Sequence, residues 1–290
     1  MCIRDRLVIV GDHVTLESGT GCVHTAPGHG VDDFVVCRKY PEIPIVVPVD
    51  ENGVLTEEAG QFAGLTTDEA NKPIAEHLEK LGALFALKKI KHQYPHCWRC
   101  HKPIIFRATS QWFCSVDDFK DAAVKAAEDV KWYPEWGKDR LQSMVVERAD
   151  WCISRQRKWG VPIPVVYCKE CGKEIIDDGI MQKVSDIFGE EGSDAWFAHD
   201  AEYFLPEGFE CPHCHKANGF EKETDIMDVW FDSGSSHAAV LKNRNYLKWP
   251  ADVYLEGADQ YRGWFQSSLL TSVAAGNRAP VSYTHLTLPT

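Results

Sequence analysis

The chain has 290 residues, is 44% hydrophobic and 26% charged, and carries a net charge of -12. That composition is globular and long enough for one large domain or two ordinary ones. The acidity excludes a protein whose whole surface grips nucleic acid, though a local basic track would not show in the total. No apolar run reaches membrane-spanning length and the N-terminus lacks a signal-peptide core, so the expected compartment is the cytoplasm. Eleven cysteines, six of them in three C-x-x-C pairs, favour metal over disulfides there.

Met1 to Arg6 and Val281 to Thr290 resemble translated sequencing-adapter read-through and are read as foreign flanks outside the fold. From Leu7 to about Leu87, β-like runs at Leu7 to Val10 and Ile43 to Val47 alternate with glycine-rich turns, and Asp68 to Lys80 have the spacing of an amphipathic helix. Tyr94 to Lys102 form a cysteine-bearing knuckle, followed by a strand-like Pro103 to Ala108. Helices are expected at Asp117 to Glu128 and Lys138 to Arg148, and a buried strand at Val161 to Tyr167. A second cysteine module runs from Cys168 to about Phe220, and D-V-W-F-D-S-G-S resumes the main chain at Asp228. The class is α/β, a core interrupted by inserted modules.

Tyr254 to Phe265, Y-L-E-G-A-D-Q-Y-R-G-W-F, holds two carboxylates, an amide, an arginine and two glycines in twelve residues. Asp252 to Leu255 read as a strand, Gly257 frees the backbone to turn, and Tyr261 to Ala275 carry helical spacing. Ligands of open α/β sheets bind at such strand-to-helix crossings, with Glu256, Asp259 and Gln260 aimed into the crevice. The plainer alternative makes Asp259 a helix N-cap.

Cys168-Lys-Glu-Cys171 and Cys211-Pro-His-Cys214 together supply the four soft ligands of a closed tetrahedral zinc site. His213 and His215 are spare donors there. Cys97-Trp-Arg-Cys100 is half a site, flanked by His96 and His101, and its missing pair is expected upstream of residue 1. Between Gly19 and Asp33 the loop G-T-G-C-V-H-T-A-P-G-H-G-V-D-D is no Walker motif. It suits either of two roles. A His and an Asp a turn apart can bind an ammonium and a ribose hydroxyl, or an Asp can cap a helix over Phe34 to Lys39.

These strings, with Y-P-H-C-W-R-C, F-R-A-T-S-Q-W-F, R-A-D-W-C-I-S-R-Q-R-K-W-G-V-P and D-V-W-F-D-S-G-S-S-H, resemble bacterial isoleucyl-tRNA synthetases in the same order over nearly all of Leu7 to Pro280. Valyl and leucyl enzymes share the architecture, while H-T-A-P-G-H-G is similar to the isoleucyl wording. The resemblance implies a class I synthetase, a Rossmann-like catalytic core with an inserted partial editing domain and a zinc-binding insertion. It divides the chain into an editing part at 7–92, a knuckle and neck at 93–105, a return to the catalytic region at 106–167, a zinc insertion at 168–225 and the second half of the nucleotide fold at 226–280. By the same resemblance Glu256, Gly257, Asp259 and Gln260 contact an isoleucyl-adenylate. Trp230 and Trp264 wall the side-chain pocket. Asp33 holds the ammonium of a mischarged aminoacyl group, while His24 faces the terminal ribose.

The implied cofactor is Zn2+, the substrates are isoleucine and ATP with Mg2+, and the partner is tRNA(Ile), bound by a monomer. An aliphatic pocket separates valine from isoleucine by only about two powers of ten, a case the general rule itself is built on, so a hydrolytic second sieve is expected. The family's H-I-G-H and K-M-S-K-S strings do not occur, so the chain alone is expected to be inactive in aminoacylation. A zinc-stabilised RNA-binding module without catalysis is the alternative from another class.

Overall fold

The computed structural model describes residues 7–17, 20–89, 91–217 and 219–286. The chain divides into two compact units, Met1–Ser110 and Gln111–Thr290. The foreign-flank assignment at 1–6 and the Gly19 end of the loop lie outside the described residues.

In the first unit, α1 (Val31–Cys37) and α2 (Thr67–Lys80) are joined by a connection that includes a 3-10 helix at Glu57–Phe62. α2 starts one residue before the expected Asp68 and ends at the expected Lys80. Thr66 Oγ1 accepts from the Glu69 backbone N–H at 3.3 Å, and Glu69 Oε2 accepts from the Thr66 N–H at 2.9 Å. This reciprocal box satisfies two of the donors a helix start leaves open. The expected strands at Leu7 to Val10 and Ile43 to Val47 do not form. Their apolar side chains find no partner ladder, and Val8 is 99% exposed. Pro103 to Ala108 likewise makes only a single bridge, Pro103 to His96.

The second unit opens with β1 (Phe113–Cys114), α3 (Lys120–Glu128), β2 (Lys131–Tyr133), α4 (Trp136–Val146), β3 (Trp151–Cys152) and β4 (Ser154–Arg155). α3 begins three residues later than expected. The cysteine module follows as β5 (Val166–Cys168), β6 (Glu174–Ile175), α5 (Asp178–Glu191), the short α6 (Ala195–Ala198) and α7 (Ala201–Phe204), and β7 (Phe220–Lys222). β5 is central in an antiparallel sheet of order β6-β5-β7. Only the end of the expected Val161 to Tyr167 strand joins this ladder, with a separate bridge from Pro162 to Ile226. Asp177 caps α5 by accepting from the Ile180 N–H at 3.0 Å. The module has its own core of Trp196, Phe204, Val166, Ile180 and Phe220 beside the cysteines.

The chain then returns through β8 (Ile226–Met227), α8 (Val229–Gly234), β9 (Tyr254–Glu256), α9 (Trp264–Gly276) and β10 (Tyr283–Leu286). β10 pairs in parallel with both β2 and β9, giving the order β2-β10-β9. Tyr283–Leu286, within the segment read from sequence as a foreign flank, supply the central strand of the parallel sheet. The placement has a physical basis: Tyr283 to Leu286 is β-prone, and its backbone pairs with both β2 and β9. α9 is buried around most of its circumference, Phe265 through Leu270 included. Its Phe265, Leu269, Leu270 and Val273 pack with Leu141, Val145 and Tyr261 in the main core, and the buried Gln266, Ser267, Ser268 and Ser272 lie on the same helix. The observed class is α/β with mixed sheets.

Candidate functional site

β9 delivers Glu256 to the carboxyl edge of the parallel sheet, and a 3-10 turn at Ala258–Tyr261 leads to α9. Gly257 has φ -74°, open to any residue, so the turn does not depend on its being glycine. The tight position is Gly263. A β-carbon there would lie 2.3 Å from Gln260 Oε1 and 3.0 Å from Trp230 Cη2. Asp259 does not cap α9. Gln260 does, its Oε1 accepting from the Trp264 N–H at 3.0 Å while its Nε2 donates to Asp259 Oδ2 at 3.1 Å. Trp264 stacks on Tyr254 with centroids 4.2 Å apart and donates from Nε1 to the Ser233 carbonyl at 2.9 Å. Gln260, Trp264 and Trp230 thus converge around Gly263, with Asp259 hydrogen-bonded beside them and Glu256 at the strand end that leads in. Trp230 remains 41% exposed.

Trp230 is held by a residue the sequence did not single out. Asp228, 5% exposed, accepts from Trp151 Nε1 at 3.0 Å and from an Arg155 guanidinium nitrogen at 2.8 Å. Its other oxygen accepts from the Trp230 N–H at 3.3 Å and caps α8. A buried carboxylate is costly unless charge and hydrogen bonds meet it, and here both do. The cap position of an aspartate before V-W-F was the signal available in sequence. Beyond the hub lies a cavity of about 90 Å³ lined by Arg148, Trp151, Asp228, Trp230, Arg262 and Gly263 among others. Asp232, on α8, is pushed up to about 6 by burial and then by the charge of Asp228.

In the cysteine module, Cys168, Cys171, Cys211 and Cys214 bring their four sulfurs within 4.8 Å of one another. The Cys168 and Cys214 sulfurs are 3.6 Å apart, and those of Cys171 and Cys211 are 3.8 Å apart. A tetrahedron with bonds of about 2.3 Å to zinc has edges of about 3.8 Å, so the donor set fits that ion. Burial opposes ionisation of Cys211, yet the N–H groups of Cys214 and His213 together with the Cys214 and Cys168 thiols bring its thiol down to about 6. The Lys216 N–H favours the Cys214 thiolate, but burial and the neighbouring cysteine side chains push that thiol up to about 12. The histidines stay out of the cluster: His213 Nε2 meets the Glu174 carbonyl at 3.1 Å, and His215 occupies a left-handed position at φ 57°.

Cys97 and Cys100 have no third donor beside them among the described residues. His96 Nδ1 is engaged by the Tyr94 carbonyl at 2.8 Å. The backbone is nonetheless that of a metal knuckle. The N–H four residues after the leading cysteine donates to its carbonyl in all three cases: His101 to Cys97, Gly172 to Cys168 and His215 to Cys211. That donor has positive φ each time, 58°, 67° and 57°.

In the glycine loop, Gly28 is required by contact, since a β-carbon would lie 2.3 Å from the Val46 carbonyl oxygen. α1 starts at Val31 with Gly30 as N-cap, which places Asp33 inside the first turn rather than before the helix. Asp33 Oδ2 accepts from the Ala26 N–H at 2.9 Å, closing the turn. His29 Nδ1 bonds the Phe106 carbonyl at 2.8 Å, and His24 is exposed. The structural and the ligand-binding readings are therefore compatible in one loop.

A family model described as tRNA synthetases class I (I, L, M and V) matches residues 21–287. The chain is 64% identical over 277 residues to the isoleucine–tRNA ligase of Caldicellulosiruptor bescii, a match covering 96% of this chain and 30% of that relative. The isoleucine–tRNA ligases of Caldicellulosiruptor saccharolyticus and Moorella thermoacetica are 63% and 59% identical over the same shares. The chain spans about 30% of the length of the curated relatives it matches. A solved ternary complex of Agrobacterium radiobacter K84 agnB2 LeuRS, tRNA and LeuAMS aligns over 47% of this chain and 19% of its own, at 23% identity and a TM-score of 0.29.

Proposed function

Since the chain belongs to the class I tRNA synthetase family (I, L, M and V), we propose that it is part of an isoleucine–tRNA ligase, carrying one wall of the aminoacyl-adenylate site. The observation that carries the reading is the 64% identity to a protein of that name across 96% of the chain. The longer protein would join isoleucine to tRNA(Ile) with ATP and Mg2+ as a cytoplasmic monomer, and would hydrolyse valyl-tRNA(Ile) at a second site. The finer architecture proposed is a Rossmann-like core around β2, β9 and β10, a partial editing domain in the first unit and a zinc insertion at the cysteine module.

Within that reading each side chain has a defined task. Gln260 and Asp259 are already hydrogen-bonded to each other and to the start of α9, so they meet a ligand without reorganising, which is how positioned groups favour a reaction. Glu256 supplies a carboxylate for ribose hydroxyls at the strand end. Trp230 and Trp264 present aromatic surface to an aliphatic side chain. Activation is attack of the isoleucine carboxylate on the α-phosphate of ATP, forming the mixed anhydride and releasing pyrophosphate. In the first unit, Asp33 would hold the ammonium of a mischarged ester while His24 faces the ribose. Zn2+, bound by Cys168, Cys171, Cys211 and Cys214, would close the module and add folding energy. Cys97 and Cys100 would hold a second ion with two thiolates from another part of the longer protein.

The test is equilibrium binding of a non-hydrolysable isoleucyl-adenylate analogue to the full chain, with valyl and leucyl analogues alongside. Preference for the isoleucyl compound, weakened tenfold or more by Gln260→Ala, supports the proposal. Equal or absent binding of all three overturns it. Isoleucine-dependent pyrophosphate exchange is expected to need the longer protein, because H-I-G-H and K-M-S-K-S are not in this sequence.

A further inference from the structure

The chain carries 43 acidic residues, yet none falls between Glu79 and Asp117. The same stretch holds Lys88, Lys89, Lys91, Arg99, Lys102 and Arg107. All of these but Arg107 are exposed. An acid-free basic stretch in an otherwise acidic chain is a local field of opposite sign, and its natural counterpart is a polyanion.

The stretch also offers aromatic surface. Trp98, at the tip of the Cys97 knuckle, is 80% exposed, and Arg99 lies 5.0 Å over its ring. Tyr94 stands edge-on between His92 and His96, with centroid distances of 5.9 and 6.4 Å. Positive charge that follows a backbone, interleaved with exposed rings on which bases stack, is the combination that binds single-stranded nucleic acid.

The local fold gives the stretch a direction. Residues 94–104 double back on themselves: Tyr94 OH donates to the Ile104 carbonyl at 2.9 Å, and the Cys97 N–H to the Lys102 carbonyl at 2.9 Å. The base of this arm is tied to the glycine loop. The Ala108 N–H donates to the Gly28 carbonyl at 2.8 Å, and the Phe106 carbonyl meets His29 Nδ1 at 2.8 Å. Arg107 donates to the Val49 carbonyl at 3.2 Å. A strand of RNA lying on the basic arm is thus led toward the loop that holds His24 and Asp33.

We infer that Lys88, Lys89, Lys91, Trp98, Arg99 and Lys102 form an RNA track, which binds the unpaired 3′ end of an RNA through its phosphates and stacks one base on Trp98. The inference rests on the synthetase reading and adds to it the surface by which an aminoacylated end reaches the hydrolytic loop. Lys88, Lys89 and Lys91 contact phosphates without reading sequence, and the Trp98 ring accepts any base.

The test is fluorescence anisotropy of the zinc-loaded 290-residue chain with a fluorescein-labelled 12-nucleotide RNA ending in CCA, titrated at several salt concentrations. Single-strand contacts each contribute about -0.7 to the slope of log affinity against log salt. Replacing Lys88, Lys89 and Lys91 together by Gln therefore lowers the slope by about 2 and the affinity at low salt by roughly tenfold. Trp98→Ala lowers affinity by roughly tenfold and leaves the slope unchanged. A charge-matched control at the exposed Lys39, Lys72 and Lys125 leaves both unchanged. The inference is overturned if no RNA binds, if the Lys88 set behaves like the control, or if phosphatidylserine vesicles compete as strongly as unlabelled RNA. Adenylate-analogue binding does not enter this readout, so the track and the synthetase reading can fail separately.

Discussion

Trp230 closes over Gly263 so tightly that a β-carbon on the glycine would stand 3.0 Å from the indole Cη2. The same β-carbon would meet Gln260 Oε1 at 2.3 Å, so the contact couples the aromatic wall to the group that caps α9. Gly263→Ala must displace Gln260 from the Trp264 N–H. The expected cost is about 1–3 kcal/mol, as for other overpacking substitutions, read by urea denaturation. An unchanged midpoint would show that the loop relaxes freely.

Asp228 joins Trp151, Arg155 and the start of α8 in one buried carboxylate. Asp228→Ala leaves the Trp151 indole N–H and one of the Arg155 guanidinium nitrogens without their acceptor, the other still donating to the Cys152 and Ser154 carbonyls, and removes a helix cap. Because the Arg155 side chain is 40% exposed, solvent screens the lost pair, and destabilisation of about 1–3 kcal/mol is expected. Loss of adenylate-analogue binding should accompany it, because Trp230 begins the capped helix. A double-mutant cycle with Arg155→Ala should show coupling between the two sites. Strict additivity would count against the hub.

The raised Asp232 carboxyl gives a pH signature of opposite sign to the usual acid effect. Its folded value of about 6 lies above the unfolded 3.8, so folding disfavours the ionised form. The penalty is absent below the unfolded value, grows as pH rises between the two, and is complete above the folded one. Asp232→Asn should therefore raise Tm at pH 7.5 and leave it nearly unchanged at pH 3.5. Equal shifts at both pH values would refute the assignment.

Zinc should bind the four clustered cysteines with proton release. Cys214 is held near 12 and must lose its proton to the metal, whereas Cys211 ionises near 6. Apparent affinity should rise with pH and fall steeply below about 6, followed with a chromophoric chelator. Cys211→Ser should abolish tight binding and lower the stability of the second unit, with the apo wild-type chain as the reference for metal removal. One tightly bound zinc per chain is the expected stoichiometry; none would falsify the cluster as a metal site.

Local rules already legible in the sequence account for much of this molecule. The apolar spacing of Asp68 to Lys80 marked α2, two C-x-x-C pairs marked the soft ligands, and Tyr254 to Phe265 marked a strand, a polar turn and a buried helix. Each signal is complete within a few residues, because capping, knuckle turns and amphipathic spacing are short-range effects. The order of motifs, matched over residues 21–287, was enough for the family.

Tertiary structure decided the relations that depend on residues far apart in the chain. Asp228 became the hub of the Trp230 wall only when Trp151 and Arg155 folded against it. Gly263, rather than Gly257, proved to be the position where a side chain would collide. Tyr283 to Leu286, read as outside the fold, lies between β2 and β9, because a strand's place in a sheet depends on which backbone edges remain unpaired. Nothing in its own composition reports those edges. Leu7 to Val10 shows the converse, since β-prone residues form no ladder where no edge is offered.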